Sequence, residues 1–89
     1  MIIELHPHFK KSYKNRIAKN RKLVIQTATR IKLFQQDTTN PILKDHSLKG
    51  KKVPLRSFSI TGDIRITYWS ISNEAVIFFD IGTHNQVYR

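Results

Sequence analysis

The sequence has no cysteine. Neither a disulfide nor a thiolate zinc site can hold such a fold, and a reducing, cytoplasmic compartment is the simplest expectation. No apolar run is long enough to span a bilayer, so no membrane is expected. The opening stretch MIIELHPHFKK lacks the basic-then-apolar order of a signal peptide. Heptads, internal repeats and low-complexity tracts are missing too. Acids are scarce: six Asp and Glu stand against sixteen Lys and Arg, a net charge of +10. What remains is a chain of 89 residues, 39% hydrophobic, which is one domain (residues 1–89) with one modest core.

The charge is unevenly spread. Residues 1–52 carry 13 of the 16 bases and only Glu4, Asp37 and Asp45 as acids, a balance of +10; residues 53–89 balance to zero. The stretch KKSYKNRIAKNRK, Lys10 to Lys22, holds seven bases and no acid. Such a field attracts a polyanion: RNA, DNA, an acidic protein or an anionic membrane, with nucleic acid or an acidic partner favoured. Lys10, Lys11, Lys14 and Arg21 are the candidate contacts. A merely solvated helix face is the ordinary alternative.

Periodicity divides the chain in two. MIIELH reads as a short strand, closed by Pro7, which suits a helix start. Phe9, Tyr13 and Ile17 recur at helical spacing. Asn20 can cap a second helix, in which Leu23 or Val24, Ala28, Ile31 and Leu33 or Phe34 keep that spacing to about Asp37. DTTNP stops it. A polar connection from Pro41 to Pro54 follows, with Gly50 as a turn residue and His46 in a loop. Beyond it the period becomes two. LRSFSI alternates Leu55, Ser57 and Ser59 against Arg56, Phe58 and Ile60, and IRITYWSI alternates likewise. AVIFFDI is a third, more apolar strand that stops at Gly82. The order β-α-α-β-β-β predicts an α+β fold: an antiparallel sheet with an N-terminal helical hairpin packed on one face.

Three polar clusters in the second half carry possible chemistry. KDHSLKGKK contains His46, Lys49, Lys51 and Lys52; RSFSITGDIR contains Arg56, Ser59, Asp63 and Arg65; GTHNQVYR contains His84, Tyr88 and Arg89. Antiparallel strands could bring them to one end of the sheet. Two imidazoles, a carboxylate and several cations suit RNA cleavage without a metal. The 2′-OH needs a base, the 5′-oxygen needs an acid, and the phosphorane needs cationic donors. A metal site from His46, Asp63 and His84 has no fixed ligand spacing behind it. Each residue also has a plainer reading: His46 as surface decoration, Asp63 as a turn former, Tyr88 as packing. His6 and His8 flank Pro7 without an evident role.

LKDHSLKG, then RSFSITGDIRITY, then DIGTHNQVY resemble, in that order, the RelE/ParE superfamily of bacterial toxins, and most nearly the YafQ-type mRNA interferases of type II toxin–antitoxin systems. The likeness is by motif over the second half and by architecture over the first. It implies a RelE-like fold and a ribosome-dependent endoribonuclease that cuts mRNA in the A site without a cofactor. It also implies a monomeric toxin held in complex with a cognate acidic antitoxin. His46 then matches the first family histidine, Asp63 the aspartate, His84 the C-terminal histidine, Tyr88 an aromatic position and Arg56 an arginine of the preceding strand. Ser59 stands where similar toxins carry a second histidine. On this reading His84 is the general acid or its phosphate partner, and Asp63 with His46 the base side. Arg56 and Arg65 stabilise the phosphorane; Lys49, Lys51, Lys52 and Ser59 hold RNA; Tyr88 stacks on a base. A ParE-like DNA gyrase inhibitor, or a non-catalytic nucleic-acid-binding protein of the same fold, would need no acid–base set.

Overall fold

The computed structural model of the chain describes residues 1–50 and 54–88. Strand β1 (Ile2–Leu5) leads into helices α1 (Pro7–Arg16) and α2 (Arg21–Gln36). A short 3-10 turn (Pro41–Leu43) follows, then β2 (His46–Ser47), β3 (Arg56–Ser59), β4 (Ile64–Ser70), β5 (Ala75–Thr83) and a final turn of helix, α3 (His84–Val87). The strands form one sheet in the order β1-β5-β4-β3-β2.

Local chemistry sets the helix boundaries. The imidazole of His6 accepts from the His8 amide at the start of α1, and Pro7 occupies the first turn, where its missing N–H costs nothing. The Asn20 side chain accepts from the Leu23 amide and so caps α2, as expected. Phe9 on α1 and Ile17 at its C-cap are buried, and Tyr13 packs against the same core. On α2 the inward stripe runs through Val24, Thr27, Ile31 and Phe34, whereas Ala28, expected on it, is exposed. Thr27 takes the inward position because its spacing from Val24 and Phe34 fits the stripe better than that of Ala28.

The sheet is antiparallel from β2 to β5, but β1 pairs with β5 in parallel, so the expectation of a wholly antiparallel sheet fails at this edge. Hairpin turns dictate antiparallel pairing for β3, β4 and β5. No turn joins β1 to β5, since most of the chain lies between them. Phe58, Ile66, Val76, Phe78 and Ile81 face the helices, where the Phe34 ring stacks on Phe58 at 4.4 Å and meets Tyr68 edge-on at 4.9 Å. By alternation, Ser57, Ser59, Arg65, Thr67 and Trp69 turn to the opposite face. The register slips once. Thr67 pairs with Asp80 but Tyr68 with Phe78, leaving Phe79 unpaired in a bulge.

Candidate active site

Two cross-strand rows lie on the sheet face opposite Phe58 and Ile66, and their β5 ends meet α1 through Arg16. One is His46, Ser57, Thr67 and Asp80; the other is Ser59, Arg65 and Gly82. His46 owes its place to β2, a two-residue edge strand rather than the expected loop, which sets it opposite Ser57. Its Nδ1 lies 2.9 Å from the Lys44 carbonyl and the side chain is exposed.

The end of the chain folds back to this face. β5 does not stop at Gly82; it continues to Thr83. Thr83 then caps α3: its hydroxyl accepts from the Gln86 amide, and the Gln86 carbonyl oxygen Oε1 accepts from the Thr83 amide at 2.8 Å. This reciprocal cap turns His84 and Tyr88 over the sheet. The Tyr88 hydroxyl lies 2.6 Å from Ser57 Oγ, and the His84 ring meets the Tyr88 ring edge-on at 4.3 Å. His46 and His84, 38 positions apart in sequence, are therefore tied to the same serine, one by strand pairing and one through Tyr88.

Gly82 makes the fold-back possible. A Cβ there would stand 2.5 Å from Gln86 Oε1 and 2.8 Å from Arg16 Nη1. Both atoms are already engaged, Gln86 in the cap and Arg16 with Asp80 (3.2 Å) and the Ile81 carbonyl (3.0 Å). Gly82→Ala is expected to break the cap and release α3 while leaving the core intact. Amide hydrogen exchange should show lost protection at Gln86 and Tyr88 without loss at Ile66 or Phe78; unchanged exchange at Tyr88 would refute this.

In the second row, Arg65 Nη1 donates to Ser59 Oγ at 3.3 Å, and Arg65 Nε is buried with no partner among the described residues. Ser59 is 5% exposed and its carbonyl accepts from Arg30 of α2 at 3.1 Å. A histidine at this position would have to displace the Arg65 guanidinium, so Arg65 takes up the space and the polar contact at the departing position. Asp63 is exposed in the β3–β4 turn, two residues before Arg65, where Thr61 Oγ1 accepts from the amides of Asp63 and Ile64. The turn-forming atoms belong to Thr61, so the Asp63 carboxylate is not consumed in forming the turn.

Arg56 goes elsewhere. It shares the helix-side face with Phe58, and its Nε donates to Asp45 at 2.7 Å. Asp45 also accepts from the Tyr68 hydroxyl. The three line a cleft of about 580 Å³ between the sheet and the end of α2. The Asp45 hydrogen bond raises the Arg56 guanidinium's affinity for its proton, and burial pushes the Tyr68 phenol up, reinforced by Asp45. This places Arg56 apart from the imidazoles, in an ion pair that supports the fold.

The Tyr68 shift has a consequence in alkali. Its folded pKa lies above the ordinary phenol value, so its contribution to stability is complete below about pH 10 and is lost as pH rises further. The midpoint of urea unfolding should therefore fall above about pH 10, and Tyr68→Phe should flatten that fall. An equal fall in the variant would exclude Tyr68 as its source.

The family model for the bacterial YafQ toxin of type II toxin–antitoxin systems matches residues 1–89. The chain belongs to the YafQ toxin family. No curated protein matches it in sequence. Among solved structures it is similar to the DinJ–YafQ complex of E. coli (22% identity, 98% of this chain and 97% of that one, TM-score 0.79). It is also similar to a mutant of E. coli YafQ (21%, 98% and 97%, 0.80) and to a metal-bound toxin from Helicobacter pylori (23%, 98% and 98%, 0.76). These likenesses bear out the α+β, RelE-like fold.

In this YafQ-family chain the remaining expected site residues are spread more widely. Lys49 is exposed in the turn after β2, and Lys51 and Lys52 lie outside the described residues. Of the seven bases from Lys10 to Lys22, Lys10, Lys11, Lys14 and Arg21 are exposed, as are Lys19 and Lys22; Arg16 is half-buried against Asp80. Among the described residues, no three His, Cys, Asp or Glu side chains converge as a metal-ion site, and no helix is long and apolar enough to cross a membrane. Ser57, which joins the two imidazole-bearing segments, had no feature in sequence that marked it out.

Proposed function

We propose that this type II toxin is a ribosome-dependent endoribonuclease that cuts mRNA in the A site and is held inactive by an acidic antitoxin. The observation that carries the reading is the shared serine: Ser57 stands opposite His46 and contacts Tyr88, which packs on His84. Two imidazoles on one face, with an arginine in the next row, supply what transesterification of RNA needs.

His46 takes the 2′-OH proton, and Asp63, on the β3–β4 turn, adds its carboxylate to the base side. The 2′-oxygen then attacks phosphorus, the bond from phosphorus to the 5′-oxygen breaks, and His84 gives that oxygen its proton. The products are a 2′,3′-cyclic phosphate and a 5′-hydroxyl. Histidine can accept or donate near neutral pH, which suits both roles. The Arg65 guanidinium, held against Ser59 through Nη1, is the cation nearest the row and serves the phosphorane charge. Tyr88 offers its ring to a base, and the exposed bases of Lys10 to Lys22, with Lys49, bind ribosomal and messenger phosphates. The same positive surface suits an acidic segment that folds on it, as a cognate antitoxin would. The DinJ–YafQ complex supports that pairing by likeness of fold.

The test is expression of the chain followed by primer extension on a reporter mRNA. Cuts in phase with codons, on translated messages only, are the expected result. Intact mRNA with DNA damage would replace this reading with gyrase inhibition.

A further inference from the structure

A second aromatic group lies on the same sheet face, beyond Thr67 and Asp80. Trp69 and Phe79 sit with ring centroids 5.7 Å apart, the His6 ring meets Phe79 edge-on at 5.0 Å, and the His8 ring stacks on Phe79 at 5.0 Å. His6 also lies 6.5 Å from Trp69. The β5 bulge makes this cluster, because the unpaired residue there is Phe79. Bulges of this kind re-aim a side chain beside a site. His6, Trp69 and Phe79 are only half-buried, and His8 is exposed. His8 Nε2 also lies 3.4 Å from Asp80, which anchors α1 to the sheet, and the uncovered parts of the four rings present flat π surfaces to solvent.

We propose that His6, His8, Trp69 and Phe79 form a base-stacking subsite for a single-stranded RNA nucleotide a few bases from the scissile one. This rests on the reading of the His46–His84 face as an RNA site and deepens it. Trp69 is two residues from Thr67 along β4, about 7 Å, which is on the order of two stacked nucleotide steps. With two inter-strand spacings between His46 and Thr67, RNA held at His46 meets the rings a few bases away. Charge favours this occupant, since Lys10 and Lys11 are exposed just beyond His8 on α1 and can meet its phosphates. Stacking is tolerant of base identity, so the subsite would position the message more than it would read it.

Trp69 is the chain's single tryptophan, so its fluorescence reports this subsite alone. The probe is a short 2′-O-methyl oligoribonucleotide, which cannot be cleaved, added to the full chain at low salt. Saturable quenching of Trp69 is expected. Phe79→Leu, which keeps the apolar volume, should weaken it by about 5- to 140-fold. His84→Ala should leave it in place. Absent quenching in the wild-type chain, or equal affinity in a folded Phe79→Leu variant, would overturn the subsite. Quenching by an acidic antitoxin but not by RNA would also overturn it, in favour of a protein occupant. Because the readout needs neither ribosome nor cleavage, a chain that quenches but does not cut mRNA would sink the nuclease reading and keep the subsite. A chain that cuts mRNA without quenching would do the reverse.

Discussion

His84→Ala is expected to lower the single-turnover rate of mRNA cleavage on programmed ribosomes by about 10²–10⁴-fold, the usual contribution of a positioned general acid. Ribosome binding should hardly change, because the exposed bases of α1 and of the turn before α2 supply the long-range attraction and lie on other elements. The fold should persist as well. His84 is exposed at the first position of α3, and the cap that forms this turn uses Thr83 and Gln86. The variant does lose the edge contact with Tyr88, but Tyr88 keeps its hydrogen bond to Ser57. Circular dichroism and ribosome co-sedimentation are the controls. A folded, bound variant that cuts at the wild-type rate would leave His84 a bystander.

Much of this arrangement is legible in the sequence where a local signal exists. The Asn20 cap, the Phe9 and Ile17 stripe and the alternation of β3 and β4 each follow from residues a few positions apart, and the structure keeps all of them. The direction of β1 has no local determinant, because pairing with β5 is decided across most of the chain. β2 is two polar residues, and it is a strand only because β3 lies beside it. The bulge is hidden within the apolar run IFFDI, where no break in period marks Phe79. Two other features were within reach. Thr83 followed three residues later by Gln86 is the spacing of a capping box, which announces α3. The alternation in RSFS already sets Arg56 on the side of Phe58 and away from Ser57 and Ser59, so its absence from the imidazole face follows from the strand's own period.

With Arg56 committed to Asp45, the proposed mechanism assigns the phosphorane charge to Arg65, and removal of Arg65 should be nearly as costly as that of His84. Loss of one preorganised donor of this kind slows a reaction by about 10²–10³-fold. Arg65→Ala should show that loss in single-turnover cleavage, with ribosome binding kept. Arg65→Lys should recover only part of the rate, since an ammonium restores charge but not the planar guanidinium that Ser59 holds through Nη1. Arg56→Lys is the matched control. It should keep the cleavage rate while lowering the midpoint of urea unfolding, because Asp45 loses the donor geometry of its half-exposed partner. The reverse pattern, with cleavage lost in Arg56→Lys and retained in Arg65→Ala, would move phosphorane stabilisation to the helix-side cleft. It would also require RNA to reach Asp45 and Tyr68, on the face of the sheet opposite His46 and His84.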